Sequence, residues 1–413
     1  MSGPAGRSPA RSTRRAGGGG RPAHTVVFAC LDADTLGGVQ RVTHTVAQGL
    51  AERGHDVHVI GLHRAARPFR YVERPAYHRH VVHRTPAGPL SRLGRRRERR
   101  RLAALLDRLG PGFAVLSSPS VVTRIRALIP RHLLAIGQYH GSYRHARGSW
   151  HLRAVSGHYG RLEKAVFVSE DDAWSFSEHA RLPNTWSIPN PLPSWPSRTS
   201  DLTARRVLGI GRLEGVKRFD RLISAFALAC GAGEPPGRAG GRARGDPPGS
   251  GPPGDGAGGW ELHLIGEGAE EERLRAHARA CGVADRVVFR GAVPAAEMAR
   301  EYLGGSVLGL SSEHEGLPLV VAEAASYGVP AVAFDVSGGV RSLVSDRETG
   351  LLVPPADVDA FAAALAELMS PADGGDAAER RRRLGAAARV RAEAFRPERV
   401  LDRWEELFEH VIR

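Results

Sequence analysis

From Thr25 onward the chain switches repeatedly between two hydrophobic periods. "TVVFACL" (25–31) is a continuous apolar run, the pattern of a strand covered on both faces. A glycine turn follows, then a stretch to residue 55 with apolar residues on one helical face, then a second apolar run, "DVHVIGLH" (56–63). Strand, helix and parallel strand in that order make a right-handed βαβ unit under covering helices. The series continues with a helix predicted over 97–110 and strands over 113–118, 132–140 and 165–169. A second series opens at "RRVLGIGRL" (205–213). It alternates helices over 218–229, 270–282 and 295–303 with strands over 260–266, 286–291, 306–312 and 330–336. A further helix is expected from Pro318. Two such series predict an α/β protein of two doubly wound, Rossmann-like domains facing each other across a cleft.

The stretch 188–200, rich in proline and serine, reads as the connection between them. The expected organisation is a basic disordered tail (1–23), an N-terminal domain (24–191), a linker (192–200), a C-terminal domain (201–395) and a closing helix (396–413). Residues 231–259 are almost all Gly, Pro, Arg, Asp and Ala, too poor in apolar area to offset the entropy of ordering, so a disordered insertion is expected there.

Composition narrows the chemistry. Three scattered cysteines, Cys30, Cys230 and Cys281, exclude a disulfide framework or clustered metal site and fit a reducing, cytoplasmic compartment. The net charge of +14 comes from arginine, with only two lysines, Lys164 and Lys217. Part of it is compositional bias, and the remainder favours anionic partners. With aromatics at 6% and no recognition motif, nucleic acid is not expected as a partner. No apolar run approaches the ~20 residues that span a bilayer, and no signal peptide is expected. The arginine run 92–110 reads equally as a solvated face or as a basic helix in peripheral contact with an anionic membrane. Asp32 and Asp34 form a D-x-D pattern inside the first glycine turn, and no metal is expected there.

The densest chemistry lies in "SSEHEGLPLVVAEAASYG" (311–328). Glu315 falls in a loop after a strand, and Glu323 inside the following helix. Pro318 suits a first helical turn, and the amides of Gly316, Leu317 and Leu319 would gather at a positive helix terminus. Glu323 sits amid Leu319, Val320, Val321, Ala322, Ala324 and Ala325, where an idle charge has no place.

This segment resembles the E-x7-E motif of family 4 glycosyltransferases, which have the two-domain GT-B fold and retain anomeric configuration. The similarity extends over roughly 25–413. It implies that Glu315 contacts the donor sugar and Glu323 the ribose hydroxyls of a nucleotide-sugar. "GIGRLEGVKRFDRLISAF" (209–226) is similar to the family's phosphate segment and implies Arg212 and Lys217 on the diphosphate, where two cations stabilise a leaving group. "VVFRGAVPAAEM" (287–298) resembles the base-contacting loop, with Gly291 to Val293 holding the base through backbone groups. Gly37 and Gly38 look like the glycine pair that lets the chain approach the phosphate, since only glycine tolerates both the turn and the close contact. His140 in "GQYHGSYRHARG" (137–148) resembles the histidine facing the donor sugar. Ser169 and Asn190 are expected to shape the cleft floor and hinge.

The resemblance thus implies transfer of a hexosyl unit, with retention, from an NDP-sugar, UDP favoured over GDP, and no cofactor or metal. The acceptor is open: a lipid-linked glycan, a wall polymer or other envelope glycan, or a small molecule. The competing readings are an NDP-sugar 2-epimerase of the same fold and a non-catalytic sugar-nucleotide or glycan-binding protein.

Overall fold

Among the described residues thirteen strands form two wholly parallel sheets, the arrangement that the continuous apolar runs point to. The computed structural model describes residues 22–88, 91–231, 259–369 and 376–413. The expected insertion, except its two end residues, and the expected tail up to residue 21 lie outside the described residues. In the first domain the strands are β1 (Thr25–Asp32), β2 (Asp56–His63), β3 (His78–His83), β4 (Gly112–Leu116), β5 (Leu133–Tyr139), β6 (Lys164–Phe167) and β7 (Thr185–Ser187). In the second they are β8 (Arg206–Ile210), β9 (Glu261–Ile265), β10 (Val287–Gly291), β11 (Val307–Leu310), β12 (Ala331–Phe334) and β13 (Gly350–Val353).

The sheet orders are β3-β2-β1-β4-β5-β6-β7 and β10-β9-β8-β11-β12-β13. In each, the direction of winding reverses at the first strand, between β1 and β4 and between β8 and β11. Loops leaving the carboxyl ends of strands at such a point diverge and open a crevice for ligands. The loops after β1, β8 and β11 are therefore the ones the topology assigns to binding.

The connection between the domains is held to the second. Leu192 N–H donates to Phe395 O at 2.8 Å, and Ser200 N–H to Tyr327 O at 2.8 Å. Trp195 packs between the guanidiniums of Arg389 and Arg396, at 4.8 and 4.1 Å from its ring centre. The final helix, Pro397–Ile412, crosses back to the first domain. Its Val400, Leu401, Trp404, Leu407 and Phe408 join a core with Phe28, Leu50 and Phe113. Arg53 fastens it from outside through Asp402 and Glu405, at 2.7 and 2.8 Å.

The arginine-rich helix differs from its expected span. It runs Arg92–Leu106 rather than 97–110, because the Ser91 hydroxyl accepts from Gly94 N–H and starts it a turn earlier. Its Leu102 and Leu106 are buried in the first domain's core, and its Glu98 pairs with Arg124 at 2.7 Å. The exposed arginines lie on the other side. Among the described residues no helix is long and apolar enough to cross a membrane.

Candidate functional site

The site forms where the two switch points face each other. Lys217 ends a 3-10 turn, Gly215–Lys217, just after β8, and Glu315 lies in the loop after β11. Lys217 Nζ donates to Glu315 Oε1 at 2.7 Å, with both side chains mostly buried. The lysine stem runs along Gly211, whose φ is +154° and where an added Cβ would meet Lys217 Cε at 3.2 Å. Lysine has three N–H donors, so two remain free for an anion.

Glu323 occupies the helix Leu319–Ser326, capped by Pro318, and is buried there. Its charge is met from both domains. Arg41, from the N-terminal domain, donates to Oε1, and the Tyr302 hydroxyl donates to Oε2 at 2.5 Å. Burial and the neighbouring carboxylate push the Tyr302 hydroxyl well above the ordinary range, so it stays a neutral donor. Among the described residues the amides of Gly316, Leu317 and Leu319 have no intrachain acceptor, so the helix terminus keeps free donors beside Glu315.

Neither Arg41 nor Tyr302 is singled out by the sequence pattern. Arg41 has a legible signal nonetheless. It lies in the first turn of the helix Gly38–Glu52, where the helix dipole disfavours a cation, and no acidic residue accompanies it. A cation in that position needs an anion from elsewhere, here Glu323. Arg41→Ala is expected to remove about 1–3 kcal/mol from the closed arrangement of the ligand-free protein. Small-angle scattering would then give a larger radius of gyration than wild type.

Across the cleft, His140 follows β5. Both its ring nitrogens are shut from solvent without a hydrogen-bond partner, as is Asn190 Oδ1. Burial pulls the imidazole down to about 4, opposed in part by the Asn190 side chain. At neutral pH it is therefore uncharged, able to exchange hydrogen bonds with a hydroxyl but not to act as a cation. Because the folded state resists protonation, stability is full above pH 6.5 and falls as pH drops from 6.5 to about 4, by up to about 3 kcal/mol from this group. His140→Phe should reduce the loss of denaturant-measured stability between pH 6.5 and 4.5 by about 2 kcal/mol. Other histidines lowered by burial, such as His44 and His63, keep their share of the slope.

The cleft beside Glu315 has a volume of about 730 Å³, walled by Arg144 and Arg147 of the first domain and Arg221, Glu313 and His314 of the second. The domains already touch. An added Cβ on Gly316 would lie 1.8 Å from His140 O, and Arg341 pairs with Asp171 at 2.7 Å.

Other expected residues lie nearby without joining this cluster. Arg212 is 68% exposed and pairs with Glu214 at 2.8 Å, so it is not brought onto Lys217 or Glu315. Gly37 is extended, with φ −169°, and Gly38 has no positive φ, so neither needs glycine's freedom of backbone. The Gly37 N–H is spent on the Tyr71 hydroxyl at 2.7 Å. A Cβ on Gly37 would meet the Gln40 amide oxygen at 2.7 Å, whereas one on Gly38 would meet nothing within 4 Å. Gly291, with φ +67°, ends β10, and its carbonyl accepts from Gly266 N–H at 2.9 Å. Ala292 N–H donates to Glu267 at 3.4 Å, and Val293 packs at the core's edge. Ser169 caps the helix Glu170–Ala180, its hydroxyl accepting from Asp172 N–H. Asp34 Oδ1 accepts from Ala65 N–H at 2.8 Å, and among the described residues no group of three His, Cys, Asp or Glu side chains is placed to hold a metal.

Comparison with known proteins agrees with this organisation. Residues 36–193 match the model of Glycosyltransferase Family 4, and residues 253–391 match Glycosyl transferases group 1. One match per domain supports a group 1 glycosyltransferase family. The chain is 28% identical to an exopolysaccharide phosphotransferase of Streptomyces coelicolor over 94% of its own length, and spans 41% of that protein. It is 25% identical to an uncharacterized glycosyltransferase of Haemophilus influenzae, covering 92% of this chain and 98% of that one. Among solved structures, Anabaena HepE in complex with UDP-glucose superposes with a TM-score of 0.71 at 16% identity, covering 94% of this chain and 99% of that one. That likeness shows the fold, which is GT-B.

Proposed function

We propose that this chain transfers a hexosyl unit from a UDP-sugar to a glycan acceptor of the cell envelope, with retention at the anomeric carbon. What carries the reading is the pairing of Lys217 with Glu315 beside buried Glu323 at the second domain's switch point, opposite Arg41 and His140 of the first domain. The UDP-glucose held by the superposable HepE supports the donor class, and the exopolysaccharide relative supports the acceptor class.

In this reading the ribose hydroxyls take lone pairs of Glu323 while Tyr302 holds its other oxygen. The diphosphate lies between the two free Nζ donors of Lys217 and the free amides from Gly316 to Leu319. Glu315 fixes the lysine, and neutral His140 meets a sugar hydroxyl. The acceptor oxygen bonds to the anomeric carbon on the face from which the phosphate oxygen departs, and that phosphate takes the acceptor's proton. Side-chain and backbone donors stabilise the leaving group, with no metal assigned to the step.

A screen of UDP-glucose, UDP-galactose, UDP-N-acetylglucosamine and GDP-mannose in EDTA, read as nucleotide release, tests the proposal. Release from at least one UDP-sugar is expected. Silence from all four, or release that requires an added metal, would overturn it, and an inverted product linkage by NMR would overturn retention.

A further inference from the structure

The N-terminal domain holds a second cleft, of about 490 Å³, that the donor chemistry does not use. Four arginines line it: Arg64, Arg70, Arg79 and Arg84, with Asp34 as the one acid. Arg64 follows β2, Arg79 lies on β3 and Arg84 just beyond it, so the cleft opens at the edge of the same sheet whose β1 loop faces the donor site.

The two sites share a wall. The Tyr71 hydroxyl accepts from Gly37 N–H and donates to Thr35 O, both at 2.7 Å, while Phe69 N–H donates to Asp34 O at 2.7 Å. Phe69 and Tyr71 pack edge to face at 4.8 Å. The 32–38 loop is therefore the partition between donor site and cleft.

Arginine-rich composition does not account for this cluster. Several arginines elsewhere are paired with acids: Arg53 with Glu405, Arg124 with Glu98, Arg218 with Asp220, Arg341 with Asp171. Among the described residues the four cleft guanidiniums have no carboxylate partner, and Asp34 Oδ1 is already taken by Ala65 N–H. From residue 64 to 84 the sequence places six arginines against one acid, Glu73. The exposed arginines of Arg92–Leu106 lie along a helix surface, whereas these four converge on a concavity, where low-dielectric walls focus the field. All four are exposed to solvent and line one concavity, an arrangement that favours an anion of two or more charges, and arginine's planar donors suit phosphate oxygens. Phe69 and Val81, 41% and 43% exposed, give the same cleft an apolar flank on which a sugar face can lie.

We propose that this cleft is the acceptor subsite, and that the acceptor is a saccharide carrying a phosphate or diphosphate, held by Arg64, Arg70, Arg79 and Arg84. The proposal rests on the glycosyltransferase reading above. Its test is a calorimetric titration of the full chain with inorganic pyrophosphate under saturating UDP, which blocks the donor phosphate site. Binding is expected, weakening as NaCl is raised, and at least tenfold weaker in the double variant R79Q/R84Q, whose UDP affinity should match wild type. Equal pyrophosphate affinity in the two proteins, or no pyrophosphate binding, would overturn it. So would variant-sensitive binding to phosphatidylcholine–phosphatidylglycerol vesicles without pyrophosphate binding, which would make the patch a membrane contact. Failure of UDP to bind either protein would instead sink the donor reading, leaving the pyrophosphate difference to decide the cleft.

Discussion

Lys217→Ala is expected to lower kcat by about 10²–10³-fold, the loss typical of removing one donor from a developing oxyanion. The lysine is fixed twice over, by Glu315 Oε1 at 2.7 Å and by Gly211 against its stem. In the proposed reaction its remaining donors are already aimed when the phosphate begins to leave, and their reorientation adds nothing to the barrier. Lys217→Arg is not expected to rescue activity. A planar guanidinium on a different stem cannot reproduce a point charge in contact with both Glu315 and the phosphate. Steady-state kinetics with the best UDP-sugar would check both variants. Overall stability by thermal melting should barely change, since Lys217 lies at the cleft and not in a core.

Gly316→Ala is expected to lower kcat/KM by about 10²-fold through geometry alone. The added Cβ would fall 1.8 Å from the His140 carbonyl oxygen, a backbone atom of the opposite domain that no rotamer change can move. A Cβ added at Gly339 would fall as close to the Gly316 carbonyl oxygen, so the 316 loop is also closely backed on its own domain's side. Relief must come from the cleft opening, which separates His140 from Glu315. Circular dichroism should show both domains folded while turnover falls, separating this effect from unfolding.

How much of this was legible in sequence follows from where each residue is buried. Strands β1 and β2 are covered on both faces and announce themselves as apolar runs. The edge strands β3 and β7 do not, because "HRHVVH" and "TWS" are half exposed and carry no such run. Glu323 stood out because an apolar helix has no use for an unpartnered carboxylate, and Glu315 because seven residues separate it from Glu323 at a strand-to-helix turn. Their partners did not stand out. Arg41 is 282 residues from Glu323, and only the fold brings it there. Arginine's abundance also blurs the pattern: Arg212 reads like a phosphate ligand, and in the ligand-free protein it is exposed and paired with Glu214. At Gly37 and Gly38 the expectation invoked the turn as well as a close contact, and their dihedrals do not use glycine's backbone freedom.

The most direct test is a calorimetric titration of UDP into wild type, Lys217→Ala and Glu323→Ala. The account predicts a UDP affinity at least tenfold weaker in each variant, as expected for loss of a charge-assisted hydrogen bond worth about 1.5–3 kcal/mol. Unchanged affinity in both variants would contradict the placement of the donor at this site.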